Sequence, residues 1–279
     1  MHDDEPPEQP IQPPQPKGRR GAGTAGGILV ALGLAAAKFK TLLALLFSFK
    51  WLYLAPKLLL SVGSMFLSVL VYASFIGGWQ IAVIFVAMIT VHELGHYVTW
   101  RNFGVKANLP MFIPGLGAFT SAPATGTPAQ NVAAALAGPA YGIAAAAVCW
   151  AYGYETGQKL WLACAYIGFL VNFFNLVPLP PFDGGAAAAA IDARLWFVGI
   201  PLFIAWMVYY GASGFTVIFV LLVAVAAFPR LRALWRGELD PRASGLTTPQ
   251  RILTGGAYFA LALIAMAGAA ATHLERATA

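Results

Sequence analysis

The segment 76–100, IGGWQIAVIFVAMITVHELGHYVTW, joins an uncharged apolar run to a cluster of titratable side chains. Its first sixteen residues carry no charge, and His92, Glu93 and His96 follow directly. An apolar run of this length predicts a helix that spans a membrane. Ionisable groups are costly inside a bilayer, so their presence at the end of such a helix indicates a functional site.

The composition of the whole chain agrees with a membrane location. Of its 279 residues, 59% are apolar and only 10% are charged, and the mean hydropathy is +0.71. Soluble proteins average about 25% charged residues. The deficit predicts an integral membrane protein embedded in the lipid bilayer, with little mass outside it. The net charge of +6 is therefore not a sign of nucleic-acid binding, and we expect no nucleic-acid partner.

Seven apolar segments are candidates for membrane spans. They are 58–76, 78–100, 132–152, 160–180, 196–211, 214–229 and 252–271. The predicted fold class is an all-α polytopic membrane protein with about 6–7 transmembrane helices. The predicted regions are a disordered Pro-rich tail (1–23), a hydrophobic or amphipathic membrane-associated segment (24–57), a core (58–190), and C-terminal transmembrane helices with a basic loop (191–279).

The distribution of positive charge predicts the orientation. With the N-terminus in the cytoplasm and the seven spans alternating, fifteen of the seventeen Lys and Arg residues lie on the cytoplasmic side. Only Lys159 and Arg276 lie on the other side. This asymmetry is what the positive-inside rule describes. We therefore expect a multi-pass protein of the plasma (inner) membrane with a cytoplasmic N-terminus.

The connection 104–131, GVKANLPMFIPGLGAFTSAPATGTPAQN, is long and rich in Gly, Pro, Ser and Thr. Loops of this length without structure of their own are uncommon and often functional. Non-helical backbone near a membrane must be buried in protein or line a wet cavity. We therefore expect a short re-entrant or β-like segment next to the cluster of His92, Glu93 and His96.

The spacing within HELGH suits a metal site. His92 and His96 are four residues apart, so both imidazoles leave the same face of a helix and can bind one ion. Glu93 could reach a metal-bound water and act as a general base. Zinc suits such mixed nitrogen and oxygen ligands. The alternative is a chance match on a solvated helix face, and the apolar surroundings argue against it.

A catalytic zinc ion usually takes three protein ligands, and Asp183 is the best candidate for the third. His2 lies in the tail and His273 near the far end of the last span. Asp183 closes NFFNLVPLPPFDGG (172–185), at the membrane side where the HELGH helix also ends. Asp192, beyond an Ala-rich turn and near Arg194, is interpreted as a surface charge.

The residues around Asp183 favour an inward-facing carboxylate. Its three preceding prolines, at 178, 180 and 181, cannot continue a regular helix, and Gly184 and Gly185 permit a tight backbone. The alternative is a simple helix-terminating turn. Asn172 and Asn175 lie three residues apart and could bind a substrate backbone or a developing oxyanion. They could instead join two helices, an interpretation that suits Asn172 better than Asn175.

HELGH together with NLVPLPPFDGG (175–185) resembles the site-2 protease family of intramembrane zinc metalloproteases, in a compact form without a PDZ domain. LAGPAYG (136–142) also fits, and the similarity covers about 58–190. The resemblance implies a metalloendopeptidase that cleaves transmembrane protein substrates. It implies one Zn²⁺ ion bound by His92, His96 and Asp183, with Glu93 activating the water and Asn175 holding the substrate or the oxyanion.

Two other functions are alternatives to a protease. A catalytically silent relative would bind membrane proteins without cleaving them, but it should have lost Glu93 or a ligand. A metal transporter should carry polar residues along a pathway through several spans, whereas here the titratable groups gather at one depth. For a protease, a helical substrate must unwind to present a carbonyl, and the 104–131 connection could pair with it as an added strand.

Overall fold

The computed structural model describes residues 38, 49–76, 78–115, 117–122, 126–210, 214–238 and 244–278, to which the structural statements below refer. The predicted tail 1–23 lies outside the described residues. So do most of the segment 24–57 and most of the predicted turn at 211–214. Lys57–Ala279 forms one compact unit, and the contacts discussed below lie within it.

The described chain is almost entirely helical. Its elements in order are α1 (Phe49–Ile76), α2 (Trp79–Asn102), β1 (Met111–Ile113), β2 (Gly117–Phe119), α3 (Pro128–Thr156), α4 (Lys159–Asn175), α5 (Asp183–Asp192), a 3-10 turn (Ala193–Leu195), α6 (Trp196–Tyr210), α7 (Gly214–Trp235) and α8 (Thr248–Thr278).

Five segments in the described part of the chain are long and apolar enough to cross a membrane, and α4 is a shorter apolar helix. The five are Pro56–Ser74, Trp79–Asn102, Pro128–Thr156, Asp183–Ala205 and Thr248–His273. The predicted all-α polytopic membrane fold is therefore confirmed. Helices α6 and α7 cover the predicted spans at 196–211 and 214–229.

The segment Asp183–Ala205 is not one straight helix. The Trp196 indole N–H donates to the Gly185 carbonyl at 2.8 Å, although residues eleven apart in a continuous helix lie roughly 16 Å apart along its axis. The backbone of Asp192 is extended, with φ −161° and ψ 118°. The chain therefore reverses at Asp192, and α5 and α6 lie side by side.

Two sequence-based boundaries change in this region. The Ala-rich stretch expected to be a turn is helix α5, because alanine has the highest helix propensity of all residues. Helix α4 ends at Asn175, five residues before the predicted end of the span 160–180. The prolines that follow lack the N–H groups that would continue the helix.

Glycines let α2, α3 and α4 approach closely. A Cβ atom on Gly95 of α2 would lie 2.6 Å from the Ala137 carbonyl oxygen of α3. Helix α3 begins with a capping box, in which the Thr127 side chain accepts from the Gln130 N–H and the Gln130 side chain accepts from the Thr127 N–H. Phe169 of α4 lies buried in the cluster formed mainly by α3, α4 and α8. The close contact at Gly95 sets α2 directly against α3 at the level of the HELGH side chains.

The 104–131 connection contains a small antiparallel hairpin, which confirms the expected β-like segment. Strand β1 pairs with β2 so that Phe112 lies opposite Ala118. Two serines of α1 hold the outer edge of β1. The Ser61 hydroxyl donates to the Pro110 carbonyl at 2.5 Å, and the Phe112 N–H donates to the Ser64 hydroxyl at 3.2 Å.

Candidate metal centre

Helix α2 carries three titratable side chains into the interior. His92, Glu93 and His96 are 3%, 5% and 8% exposed. The four-residue spacing places the two imidazoles on one face, as the sequence predicts. The face that carries the two imidazoles packs against α3. All three side chains are buried, so their polar atoms need partners within the protein.

Asp183 reaches the same place from a different helix. It is the first residue of α5. The two glycines after it allow the backbone to fold back tightly. A Cβ atom on Gly184 would collide with the Leu176 carbonyl, and one on Gly185 would lie 2.5 Å from the Leu179 carbonyl carbon. Glycine is therefore required at both positions for the turn that aims the carboxylate inward.

His92, His96 and Asp183 each place one atom that could bind a metal ion (a metal donor) next to the other two. Asp183 Oδ2 lies 2.9 Å from Nε2 of His92 and 3.3 Å from Nε2 of His96. The two Nε2 atoms are 3.1 Å apart. Donors bound at 2.0–2.1 Å in a tetrahedral site lie about 3.3 Å from one another. The triangle of donors therefore has the dimensions of one face of a metal site, and these three residues could hold a metal ion.

The opposite side of each imidazole fixes its orientation. Nδ1 of His96 lies 2.7 Å from the Ala134 carbonyl oxygen of α3. Nδ1 of His92 lies 2.8 Å from Oδ1 of Asn172, whose Nδ2 donates to the Gly168 carbonyl at 2.7 Å. Because both partners are oxygen acceptors, each Nδ1 must be the donor. In the neutral rings Nε2 then presents a lone pair.

With these hydrogen bonds in place, the three metal donors, here called the donor triangle (Nε2 of His92, Nε2 of His96 and Oδ2 of Asp183), repel one another unless a cation lies between them. When both rings are neutral, two imidazole lone pairs and a carboxylate oxygen point at one another within 3.3 Å in a largely buried site. A metal ion removes this repulsion, and second-sphere hydrogen bonds of the same kind orient metal-bound histidines in general. The chemistry and the spacing of the donor set therefore both fit a bound metal.

The Gly-Pro segment of α3 leaves room beside the histidines. A Cβ atom on Gly138 would collide with the His96 ring and lie 2.9 Å from Nε2 of His92. A Cβ atom on Gly142, one turn later, would collide with the Asn172 amide. The small residues of LAGPAYG thus allow α3 to pass directly against the site and against the residue that orients His92.

Glu93 lies beside the donors but is not one of them. Its Oε2 atom is buried and has no hydrogen-bond partner among the described residues. A buried carboxylate oxygen without a partner costs free energy, and such atoms are found where a ligand or catalytic water is handled. The backbone carbonyl of Glu93 accepts from the Thr120 hydroxyl at 3.2 Å, which ties the end of β2 to the HELGH helix.

The two asparagines of α4 have different surroundings. Asn172 is fully buried and joins α4 to α2, as expected of an interhelical amide, but its partner is the ring of His92. Asn175 is half-buried, and its amide donates to the Val171 carbonyl of its own helix at 3.1 Å. In the described part of the chain no hydrogen bond joins Asn175 to the donor residues. In the sequence, the one feature that indicates a special role for Asn172 is an amide within an otherwise apolar helix.

The other histidines do not contribute in the described structure. His273 lies near the end of α8, with its ring 5.4 Å from that of Tyr166 between centroids. His2 lies outside the described residues. Among the described residues, the side chains that come together and could hold a metal ion are therefore His92, His96 and Asp183.

Comparison with known families identifies part of the chain. Residues 80–158 match the family model described as Peptidase family M50. The match includes the HELGH helix and the Gly-Pro helix, and it ends before Asp183. No curated protein matches the sequence. Residues 80–158 of this multi-pass membrane protein are thus similar to peptidase family M50, the metallopeptidase family of the site-2 proteases.

Proposed function

We propose that this protein is an intramembrane zinc metalloendopeptidase that hydrolyses peptide bonds in or near the transmembrane segments of membrane protein substrates. The observation that carries the proposal is the geometry of four side chains. His92, His96 and Asp183 converge on one point, and Glu93, the residue after His92, is buried with a carboxylate oxygen that has no hydrogen-bond partner among the described residues. The M50 match over α2 and α3 supports the same chemistry.

Zinc bound there would polarise the scissile carbonyl and lower the pKa of a water molecule to about 7. The carboxylate of Glu93 accepts a proton from the attacking water and can return it to the leaving amine. Asn172 and the Ala134 carbonyl hold the two imidazoles with Nε2 facing inward. Asn175 holds the substrate backbone or the developing oxyanion, the role that the motif resemblance gives it.

The hairpin offers a strand edge for the substrate. Because the Phe112 N–H points outward to Ser64, its cross-strand partner Ala118 points its own N–H and C=O outward on the opposite edge. That edge continues into Thr120, which is tied to Glu93. A substrate strand paired with β2 would therefore run beside the general base. Pairing also satisfies the backbone groups that an unwound substrate exposes.

The other edge of the hairpin is closed to a substrate. Its outward positions are Pro110, Phe112 and Pro114. The two prolines have no N–H, and the Phe112 N–H is bonded to Ser64. These features favour β2 as the edge that binds substrate, and they give the partner a defined chemistry: an extended segment of a transmembrane protein.

The burial of charge supports a protease over a transporter. Among the described residues, the buried Asp, Glu, His, Lys and Arg side chains are His92, Glu93 and His96, all in the site. A transport pathway needs ionisable or polar groups spread through several spans. We further propose a cytoplasmic N-terminus and a plasma (inner) membrane location, because fifteen of seventeen Lys and Arg residues then lie on the cytoplasmic side.

The test compares the membrane proteomes of cells that express wild type, Glu93→Gln or Glu155→Gln. Glu93→Gln keeps the three donors and removes the base. Glu155→Gln makes the same chemical change at an exposed position near the end of α3 and serves as the matched control. We expect a transmembrane protein to accumulate uncleaved with Glu93→Gln, and its fragment to appear with wild type and Glu155→Gln.

Identical proteomes for the three forms would contradict the proposal. Zinc binding by the purified chain without any cleavage difference would favour the catalytically silent binding protein. Zinc flux into liposomes that contain the purified protein would favour the transporter.

A further inference from the structure

The carbonyl of Leu176 lies where α4 ends and the turn toward Asp183 begins. In a continuing helix this carbonyl would accept the N–H of the residue four positions later. That residue is Pro180, which has no N–H. The sequence therefore removes the helical donor of Leu176, and a buried carbonyl needs another donor in its place.

The last helix supplies that donor. The Tyr258 hydroxyl of α8 donates to the Leu176 carbonyl at 2.7 Å in a buried contact, across 82 residues of sequence. Tyr258 is 4% exposed. A buried tyrosine hydroxyl requires a partner. Here that partner belongs to the motif that ends in Asp183.

The same carbonyl touches the residue next to Asp183. A Cβ atom on Gly184 would collide with the carbon and oxygen of the Leu176 carbonyl, so the backbone of Gly184 rests directly against it. The position of this carbonyl therefore sets where α5 starts. Asp183 is the first residue of α5, and its Oδ2 atom must keep distances of 2.9 and 3.3 Å to two nitrogens.

A second residue of α8 holds the other end of α5. Nη1 of Arg251 donates to the Ala190 carbonyl at 3.3 Å and to the Ile191 carbonyl at 2.8 Å. The last carbonyls of a helix lack intrahelical donors, and a cation near them is favourable. Helix α8 thus contacts the Leu176 carbonyl, against which the start of α5 rests, through Tyr258, and the end of α5 through Arg251.

We infer that Tyr258 is a positioning residue for the third metal donor, acting on Asp183 through the Leu176 carbonyl. Helix α8, which lies outside the matched residues 80–158, is then part of the catalytic unit. The inference rests on the proposed function, because it requires an ion bound by His92, His96 and Asp183. Tyr258 is not catalytic, since its hydroxyl contacts a backbone carbonyl.

The test measures the zinc affinity of the purified full-length chain by competition with a chromophoric chelator. We expect Tyr258→Phe, which removes only the hydroxyl, to weaken zinc binding about tenfold, at the lower end of the range for outer-sphere partners. Tyr152→Phe, at an exposed position near the C-terminal end of α3 and away from the metal site, is the matched control and should leave the zinc affinity unchanged. The visible absorption of the Co²⁺-substituted protein should change with Tyr258→Phe alone.

A double-mutant cycle separates positioning from general loosening. If Tyr258 acts through Asp183, Tyr258→Phe has no further effect on zinc affinity in an Asp183→Ala background. A tenfold loss that persists in that background would overturn the inference, and so would an unchanged affinity for Tyr258→Phe alone. Absence of zinc binding by wild type would instead overturn the proposed function.

Discussion

The side-chain oxygen of Asn172 on α4 lies 2.8 Å from Nδ1 of His92 on α2. The amide nitrogen of the same side chain donates to the Gly168 carbonyl, so the orientation of Asn172 is fixed by its own helix. A fixed acceptor on Nδ1 in turn fixes the tautomer and the rotation of His92. The donor triangle thus depends on the packing of α4 against α2 as well as on the HELGH sequence.

Asn172→Leu should weaken zinc binding by about 10- to 100-fold, because the acceptor that orients His92 is lost while the number and branching of the side-chain heavy atoms are kept. Chelator competition on the purified protein measures the effect. Asn175→Leu is the matched control, since the Asn175 amide donates to its own helix. It should lower substrate cleavage and leave the zinc affinity intact. Equal losses of affinity in both variants would show that the His92 contact is not the cause.

Gly138→Ala should abolish zinc binding. The added methyl group would collide with the His96 ring, which cannot move away without losing its hydrogen bond to the Ala134 carbonyl. Gly63→Ala, in α1, is the control, because a Cβ atom there meets no described atom within 4 Å. It should bind zinc normally and be slightly more stable, since alanine is favoured over glycine in helices by about 1 kcal/mol. Normal zinc affinity of Gly138→Ala would mean that α3 lies farther from the histidines.

Zinc should stabilise the folded protein against thermal unfolding. A ligand present at about 100 times its Kd adds about 2.7 kcal/mol to the free energy of unfolding. Chelation should remove this increment, and added zinc should restore it. Asp183→Asn keeps the shape of the side chain but loses its charge, so the increment should shrink strongly. Asp192→Asn, at the other end of α5, should retain it in full, and a loss there would point to a site elsewhere.

Ala118→Pro should reduce cleavage without changing zinc affinity. The substitution removes the outward N–H of β2 and leaves the pairing within the hairpin in place, because proline is tolerated at an edge position. Ala118→Val keeps the N–H and should cleave at nearly the wild-type rate. Cleavage of a substrate identified by the proteome comparison is the measurement. Full activity of Ala118→Pro would exclude strand pairing at this edge.

The parts of the site that depend on local rules could be predicted from sequence. The spacing of His92 and His96 puts them on one helix face whatever the rest of the chain does. The prolines before Asp183 end α4 because proline lacks an N–H. The charge distribution and the apolar segments then suggest that both motifs lie at one depth. Local chemistry and membrane topology together were enough to predict that His92, His96 and Asp183 lie close to one another.

The supporting contacts could not be predicted, because they depend on how helices rotate against one another. Nothing local tells which amide of α4 meets the ring of His92. The reversal at Asp192 likewise depends on Trp196 reaching Gly185. The Ala-rich stretch was wrongly predicted to be a turn, although alanine has the highest helix propensity of all residues. Tyr258 is 75 residues beyond Asp183, and no periodicity connects them.

The contacts of Tyr258 and Arg251 with the Asp183 region also bear on biogenesis. Ribosomes add about 5–20 residues per second, and the chain enters the membrane from its N-terminal end. His92, His96 and Asp183 are therefore all synthesised before the helix that fixes the third of them. Until α8 is inserted, the Leu176 carbonyl and the end of α5 lack the hydrogen bonds from Tyr258 and Arg251. The three proposed metal ligands therefore reach their final arrangement only after α8 has been synthesised and packed against the Asp183 region.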